Sequence, residues 1–178
     1  MGDMSAMRDA APPHAARKLK ALGELVELRP GWRAGGRTVV WTNGCFDLLH
    51  AGHARSLHDA RALGDILIVG INSDASVRAL KGPSRPLMCE QDRAELLAAL
   101  ADVDYVTVFS EPDPAAALAL LQPDIHCKGA EYADGSRPIP ERAVVEAYGG
   151  EVRFLPLHPG RSTTGLIERL LAGPGASA

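Results

Sequence analysis

Cysteines and long apolar runs are scarce in this chain of 178 residues. It has three cysteines, an odd number without the spacing of a disulfide framework, which predicts reduced thiols and a cytoplasmic location. No apolar run approaches the roughly 18 residues that a membrane-spanning helix needs. Residues 1–13 contain Asp3 and Asp9 and no apolar centre, so they do not have the pattern of a signal peptide.

A strong charge of either sign is also lacking. The formal net charge of −3 gives no electrostatic footprint for a polyanion, so we expect neither a nucleic-acid nor a membrane partner. Any anionic ligand must then be bound by a local site. The 46% of hydrophobic residues can bury one good core, which predicts a single globular enzyme domain.

Apolar runs of strand length alternate with helical patterns along most of the chain. Strands are predicted at residues 37–42, 65–71, 104–109, 124–129 and 151–155. Helices are predicted at residues 15–28, 51–63, 75–80, 90–100, 113–121, 140–148 and 166–171. This alternation predicts an α/β, Rossmann-like fold, with a five-stranded parallel sheet and helices on both faces.

The two ends of the chain are predicted to lie outside this domain. Residues 1–14 are expected to form a disordered tail, and residues 15–34 a packing helix and linker, with the helix ending at Pro30-Gly31. The domain itself is predicted over residues 35–172. Small residues at 173–178 predict a frayed C-terminal tail.

The most informative stretch joins the first predicted strand to the next helix. Asn43-Gly44 breaks the strand with residues that tolerate positive φ, and a helical pattern begins near residue 51. The unpaired amides and the positive dipole end of that helix would face the same crevice as the turn, which predicts an anion site. His50 and His53 are three residues apart, so both imidazoles lie on one face, and Gly52 leaves room for a ligand.

Other interpretations of these residues exist. A histidine at a helix start can be a solvated or capping residue, and Cys45, His50 and His53 are three candidate zinc ligands. The cysteine pairs that usually accompany zinc are absent, and no further cysteine–histidine cluster follows at ligand spacing. We therefore predict no metal ligands in this stretch.

The string Asn-Gly-Cys-Phe-Asp-Leu-Leu-His-Ala-Gly-His, residues 43–53, resembles the signature of the cytidylyltransferase-like nucleotidyltransferases. In that family the HxGH motif binds a nucleoside triphosphate. The string is most similar to the family's heptose 1-phosphate adenylyltransferases, and the resemblance covers about residues 36–171. It implies the nucleotidyltransferase HUP-type fold and transfer of AMP from ATP to D-glycero-β-D-manno-heptose 1-phosphate for lipopolysaccharide core synthesis. It also implies catalytic roles for His50 and His53, and nucleotide contacts from Asn43, Gly44, Cys45, Phe46, Gly52 and His53.

Polar residues that follow the second predicted strand are candidates for ligand contacts. Asn72 and Asp74 lie where ligands of parallel sheets bind, so we assign both to the acceptor substrate; helix capping is an equal alternative for Asp74. The loop at residues 81–86 has two cations, Lys81 and Arg85. It can be merely solvated or can fold over a triphosphate. The resemblance favours the second, which makes Lys81 catalytic and Arg85 substrate-binding.

Further assignments depend on the resemblance. It implies that Arg93 reaches the phosphates, with a surface arginine as an equal alternative. It implies nucleotide recognition by Lys128, Gly129 and Ala130, where a plain strand-to-loop turn is the alternative. Asp47 is a candidate for an indirect contact with magnesium or substrate, but local hydrogen bonds that hold the turn are slightly preferred.

A second hydroxyl-rich stretch precedes the last predicted helix. Ser162, Thr163 and Thr164 are preferred N-cap residues, and with Arg161 they form a second candidate site for phosphate oxygens. A cap alone needs only one of these hydroxyls. The stretch resembles the Ser-Thr-Thr element of the same family.

The implied reaction needs no general base. The second pKa of a phosphate is about 6, so a sugar phosphate is substantially ionised at neutral pH. Its attack on the α-phosphorus of ATP can then depend on alignment and charge stabilisation. Mg²⁺ is the expected counter-ion of ATP, because it prefers phosphate oxygens and water.

Two other functions remain open. One is cytidylyl transfer to a polyol phosphate such as glycerol 3-phosphate, but those proteins more often have Gly-Thr-Phe-Asp where this chain has Gly44-Cys45-Phe46-Asp47. The other is a non-catalytic nucleotide-binding module that regulates a partner, which the intact histidines disfavour. We expect a homo-oligomer. The length leaves no room for the kinase domain of bifunctional members, so we expect a separate kinase to supply the substrate.

Overall fold

The computed structural model describes residues 3–158, 160 and 163–172. It contains one sheet of five strands in the order β3-β2-β1-β4-β5, and all neighbouring strands are parallel. The strands are β1 Val39–Gly44, β2 Ile66–Asn72, β3 Tyr105–Phe109, β4 Ile125–Gly129 and β5 Glu151–Leu155. The predicted five-stranded parallel sheet is confirmed.

Helices cover both faces of this sheet, as predicted. They are α1 Met4–Ala10, α2 Pro13–Ala16, α3 Leu22–Ala34, α4 Ala51–Arg61, α5 Asp74–Lys81, α6 Glu90–Ala98, α7 Ala115–Leu121, α8 Arg142–Ala147 and α9 Thr163–Ala172. Successive strand residues point to opposite faces, so Val40 packs in the core under α4 and α6, while Val39 and Trp41 pack in the core under α3, α7 and α8. In the part of the chain that the structure describes, no helix has both the length and the apolar character to cross a membrane.

Trp41 fills its side of the sheet because Gly70 on the neighbouring strand has no side chain. A Cβ on Gly70 would overlap the indole ring and lie 2.7 Å from its Cη2 atom. Both residues are buried, and Trp41 also contacts Phe109, with ring centroids 6.4 Å apart. The glycine is therefore required by close packing.

From Asp3 onward the N-terminal segment forms helices α1 and α2, where a disordered tail was expected over residues 1–14. Among the described residues, Met4 and Met7 of α1 are buried in the core, and Arg8 forms an ion pair with Glu24 at 2.7 Å. Leu19 then forms a parallel bridge to Val106 at the edge of β3. Methionines three residues apart bury one face of a short helix, and tertiary packing supplies the stability that local periodicity did not reveal.

The predicted end of the next helix is also wrong. Helix α3 continues through Pro30 to Ala34. Residues on both sides of the proline are anchored: Arg29 Nη2 donates to Asp124 Oδ1 at 2.7 Å, and the Trp32 ring lies 5.4 Å from that of Tyr105. These contacts outweigh the hydrogen bond that a proline cannot donate.

The strand order places a crevice at the end of β1. The chain proceeds from β1 to β2 and β3 on one side, and returns to β4 and β5 on the other. The connections that leave β1 and β4 run to opposite sides of the sheet. They leave an opening at the carboxyl ends of these two strands, where parallel sheets bind ligands. The Asn43-Gly44 turn and the Lys128-Gly129 end of β4 meet at this opening.

Candidate active site

Two adjoining cavities lie at the carboxyl ends of β1 and β4. The first, about 850 Å³, is here called the histidine cavity, and its lining includes His50, Gly52, His53 and Thr163. The second, about 450 Å³, is called the strand-end cavity, and its lining includes Asn43, Gly44, Cys45, Asn72, Lys128 and Glu141. Lys81, Gly129 and Glu131 line both cavities. The two cavities therefore meet at a shared wall.

His50 caps the helix that follows it. Its backbone is extended, with φ −142°, and its Nδ1 accepts hydrogen bonds from the amides of Gly52 at 3.1 Å and His53 at 3.4 Å. A ring nitrogen that accepts these bonds carries no proton, so the proton of the neutral ring is on Nε2. The capping alternative for this histidine is correct, and it leaves Nε2–H as the ring's donor.

His53 stacks on His50, with ring centroids 3.8 Å apart and planes inclined by 21°. Burial, and then the electrostatic interaction with His50, lower the pKa of His53 to about 4. Its ring is therefore neutral at pH 7. Its Nδ1 is buried and has no hydrogen-bond partner among the described residues. The structure thus brings together the two histidines as predicted.

Phe46 packs its ring against the ring of His53. Its ring centroid lies 5.2 Å from that of His53, and its side chain is buried in the core. Its φ of 47° lies in the left-handed region that bulky residues rarely adopt. The ring thus packs against the histidine and the core, and a nucleotide contact from Phe46 stays a prediction.

Asp47 holds the cationic loop onto the signature turn. It is 2% exposed, its Oδ1 accepts from the amides of Leu87 at 2.7 Å and Met88 at 3.1 Å, and its Oδ2 pairs with Arg85 Nε. The preferred alternative for Asp47, local hydrogen bonds that hold the turn, is not what the structure shows, because its partners lie 38–41 residues later in the chain. Both oxygens of Asp47 are bonded to the loop at residues 85–88, which corrects its predicted substrate contact. Arg85, also predicted to bind substrate, is the ion-pair partner of Asp47.

Arg93 is fully buried and connects three loops. Its guanidinium donates to the carbonyl oxygens of Met88 at 3.1 Å and Asn72 at 2.8 Å, to that of Cys45, and to Asp74 Oδ1 at 2.8 Å. The predicted phosphate contact is therefore wrong, because its donors are directed to protein oxygens.

Asp74 is likewise not placed as predicted. Its carboxylate is the ion-pair partner of Arg93, which corrects the substrate assignment. The helix is capped instead by Ser73, whose side chain accepts from the amide of Ser76 at 3.2 Å. Both earlier interpretations of Asp74 are therefore wrong, and its carboxylate compensates the buried guanidinium.

Cys45 and Asn72 do line the strand-end cavity. The Cys45 Sγ lies 4.0 Å from Asn72 Oδ1, and Asn72 Nδ2 donates to Ser76 Oγ at 3.0 Å. Burial raises the pKa of the Cys45 thiol. The thiol is therefore protonated at neutral pH and is unsuited to nucleophilic attack.

A buried acid orients Lys128 in the same cavity. Glu141 Oε1 is 3.0 Å from His126 Nε2 and 2.9 Å from Lys128 Nζ. Burial acts to raise the pKa of Glu141, but hydrogen bonds from His126, the backbone and Lys128 outweigh it and lower that pKa to about 2. The Lys128 ammonium also lies 4.6 Å from the ring centroid of Tyr132. Its charge is thus fixed at the cavity edge.

The second predicted phosphate site is described in part. Helix α9 begins at Thr163, three residues earlier than predicted, and Thr163 and Gly165 line the histidine cavity. Arg161 and Ser162 lie outside the described residues, as does the side chain of Thr164. The start of a ten-residue helix thus faces the same cavity as the histidine pair.

Several lining residues were not found from the sequence. Glu131, Glu141 and His158 line the cavities, and His158 Nε2 is 3.1 Å from Asp59 Oδ2. An acidic residue close after Lys128-Gly129 is the only signal that the sequence offers for Glu131. Within residues 3–158, 160 and 163–172, no three His, Cys, Asp or Glu side chains are grouped to hold a metal ion.

Residues 41–155 match the family model described as Cytidylyltransferase-like. The chain is 51% identical over 155 residues to the bifunctional protein HldE of Syntrophotalea carbinolica, covering 87% of this chain and 31% of that protein. It is 44% identical over 176 residues to HldE of Geotalea uraniireducens, covering 97% and 35%. The chain thus spans about a third of the length of the curated relatives that it matches.

Solved structures support the same fold. The lipopolysaccharide core biosynthesis protein from Thermoplasma volcanium GSS1 superposes with a TM-score of 0.56 at 26% identity, covering 69% of this chain and 98% of that one. The pantoate-β-alanine ligase from Francisella tularensis has a TM-score of 0.54 at 14% identity, covering 83% and 69%, and shows the fold alone. From the match over residues 41–155, together with this sheet and signature, the chain belongs to the cytidylyltransferase-like family.

Proposed function

We propose that this chain transfers the AMP moiety of ATP to D-glycero-β-D-manno-heptose 1-phosphate, giving ADP-heptose and pyrophosphate. The observation that carries the proposal is the stacked pair of His50 and His53, which lines one cavity with the start of α9. The choice of substrate is supported by the resemblance of residues 43–53 to the heptose 1-phosphate adenylyltransferases. It is also supported by similarity to HldE and to a lipopolysaccharide core biosynthesis protein.

The histidine cavity suits the triphosphate. Two helix starts face it, at Gly52 in α4 and Thr163 in α9, and the positive dipole end of a helix favours anions. In this proposal His50 Nε2–H and the neutral His53 ring donate hydrogen bonds to phosphate oxygens as their charge increases. Such donors act strongly in a partly desolvated cavity and need no rearrangement during the reaction.

We assign the strand-end cavity to the sugar phosphate, although nucleotide contacts were expected from the residues of its lining, which include Asn43, Gly44, Cys45, Lys128 and Gly129. Lys128 is held at its edge by Glu141, and Lys81 lines both cavities. A sugar phosphate near Lys81 would lie beside the α-phosphate of ATP. Its oxygen forms a bond to the α-phosphorus, while the bond from that phosphorus to the bridging oxygen of the β-phosphate breaks and pyrophosphate leaves. Holding both reactants in this geometry can contribute about 7–11 kcal/mol.

The protonation states of the site fit a direct transfer. The attacking phosphate is already substantially ionised, and the protonated Cys45 thiol argues against a covalent intermediate on that cysteine. ATP enters as its magnesium complex, so that Mg²⁺ travels with the substrate. A cytoplasmic location accords with the unpaired Cys45, Cys89 and Cys127. The homo-oligomer remains a prediction.

Pyrophosphate release tests the proposal. ATP and CTP should each be combined with heptose 1-phosphate, other sugar 1-phosphates and glycerol 3-phosphate. We expect turnover with ATP and heptose 1-phosphate, and little with CTP. Preference for CTP and glycerol 3-phosphate would establish the cytidylyltransferase alternative, and no turnover with any pair would favour the regulatory module.

A further inference from the structure

Glu131 lies in the short turn of 3-10 helix at Ala130–Tyr132, directly after β4. Its carboxylate folds back over Gly129, so that a Cβ on Gly129 would overlap Oε2 and lie 2.6 Å from Cδ. The φ of Gly129 is −66°, which any residue can adopt. A side chain at position 129 would have to displace the carboxylate of Glu131 from this position.

The carboxylate oxygen Oε2 of Glu131 is buried and has no hydrogen-bond partner among the described residues. Buried carboxylate oxygens are almost always hydrogen-bonded. A buried oxygen without a partner has lost its hydrogen bonds to water and gained none in return, which costs free energy. Glu141, in the same cavity lining, shows the contrast, since its Oε1 is paired with both His126 and Lys128. Within the part of the chain that the structure describes, Glu131 thus presents an unpaired acceptor for which a ligand can supply the donor.

The position of Glu131 limits what that donor can be. With Lys81 and Gly129 it lines both cavities, so a group beside it lies at the junction of the two substrate sites. A carboxylate repels phosphate oxygens, so the neighbouring part of a ligand is a hydrogen-bond donor other than its phosphates. In the two proposed substrates the donors nearest to the reacting phosphates are sugar hydroxyls.

We infer that Glu131 is a specificity-determining residue that accepts a hydrogen bond from a sugar hydroxyl of a bound substrate. The inference depends on the proposed function for the identity of the two sugars. The hydroxyl belongs either to the ribose of ATP or to the acceptor sugar. It gives the enzyme a means to select a polyhydroxylated ligand that phosphate contacts cannot provide, because phosphate is common to many metabolites.

Binding measurements separate the two sources. Titration calorimetry should compare ATP, 2′-deoxyATP, 3′-deoxyATP and heptose 1-phosphate on the parent, Glu131→Gln and Glu131→Ala. Asp134→Asn is the matched control, because it removes an exposed carboxylate three residues away. If Glu131 binds the ribose, Glu131→Ala lowers the affinity for ATP about tenfold or more. The affinity for the deoxy analogue that lacks the bound hydroxyl then stays unchanged. If Glu131 binds the acceptor sugar, the affinity for heptose 1-phosphate falls by a similar factor in Glu131→Ala. The ratio of the affinity for ATP to the affinities for its deoxy analogues then stays the same as in the parent.

The inference is overturned if Glu131→Ala and Glu131→Gln bind all four ligands as the parent does. It is also overturned if the loss occurs only with Mg²⁺ present, which would make Glu131 a ligand of the metal. Because the readout is binding, the inference stays testable when AMP transfer is not observed. A parent that binds ATP selectively through Glu131 without turnover would contradict the proposed function and retain this inference.

Discussion

The Nδ1 of His50 accepts the backbone amide of His53 at 3.4 Å, while the two imidazole rings stack with centroids 3.8 Å apart. One ring therefore caps the helix that carries the other. The same side chain has a structural nitrogen, Nδ1, and a proposed catalytic nitrogen, Nε2. This division makes the two roles separable by mutation.

His50→Asn should preserve the fold and remove activity. Asparagine is a good N-cap, so we expect unfolding free energy within about 0.5 kcal/mol of the parent. The variant lacks the Nε2–H donor, and kcat should fall about 10²–10³-fold. His50→Ala should lose the cap as well, at a cost of about 1 kcal/mol. Pyrophosphate release and urea unfolding measure the two effects, and parental turnover in His50→Asn would remove the catalytic assignment.

The stability of the protein should decrease as the pH falls from about 6.5 towards 4. The pKa of His53 is about 4 in the folded chain against an ordinary 6.5, so in this window the unfolded chain binds the proton and the folded chain does not. Unfolding free energy should then fall by up to about 1.4 kcal/mol per pH unit. Urea unfolding at several pH values measures the slope.

His53→Asn is the control for this pH effect, because asparagine does not titrate. Burial also lowers the pKa of His126 and adds to the slope in the same direction, so the test is the difference between parent and variant. Equal slopes in the two proteins would show that His53 titrates normally in the folded state.

Arg93→Met should destabilise the chain severely. The change leaves the Asp74 carboxylate and three carbonyl oxygens without their buried donor, and loss of one partner of a buried pair costs about 3–5 kcal/mol. Arg142→Met, at an exposed ion pair with Glu146, should cost less than 1 kcal/mol by comparison. Urea unfolding distinguishes them. A stable Arg93 variant with weakened ATP binding would instead restore the predicted phosphate contact.

Gly70→Ala should destabilise the sheet although alanine is a small change. The added methyl group would overlap the Trp41 ring, and overpacking of this kind costs about 1–3 kcal/mol. Gly23→Ala is the matched control, since nothing lies within 4 Å of its Cβ position and it is exposed in α3. That variant should be neutral or up to about 1 kcal/mol more stable. Thermal unfolding of both proteins measures the contrast.

The sequence alone determined the strands, their parallel arrangement and the location of the nucleotide-binding turn. Continuous apolar runs such as residues 65–71 are typical of strands buried on both faces, and β2 lies there from Ile66 to Asn72. The proximity of the two histidines was predicted from their spacing, and the structure achieves it with His50 as the N-cap of α4 and His53 in the first turn. These properties are local, so a local pattern is sufficient to predict them.

Only the tertiary structure decided which charged residues face the cavities. Arg93 bonds to Cys45, 48 positions earlier, and Asp47 closes onto Leu87, 40 positions later, so neither side chain is available as predicted. Glu131 became visible through one unpaired oxygen at a junction of cavities. Hydropathy and spacing report whether a residue is buried and on which face of its element. The partner of a buried charge depends on how distant loops close, which no local pattern records.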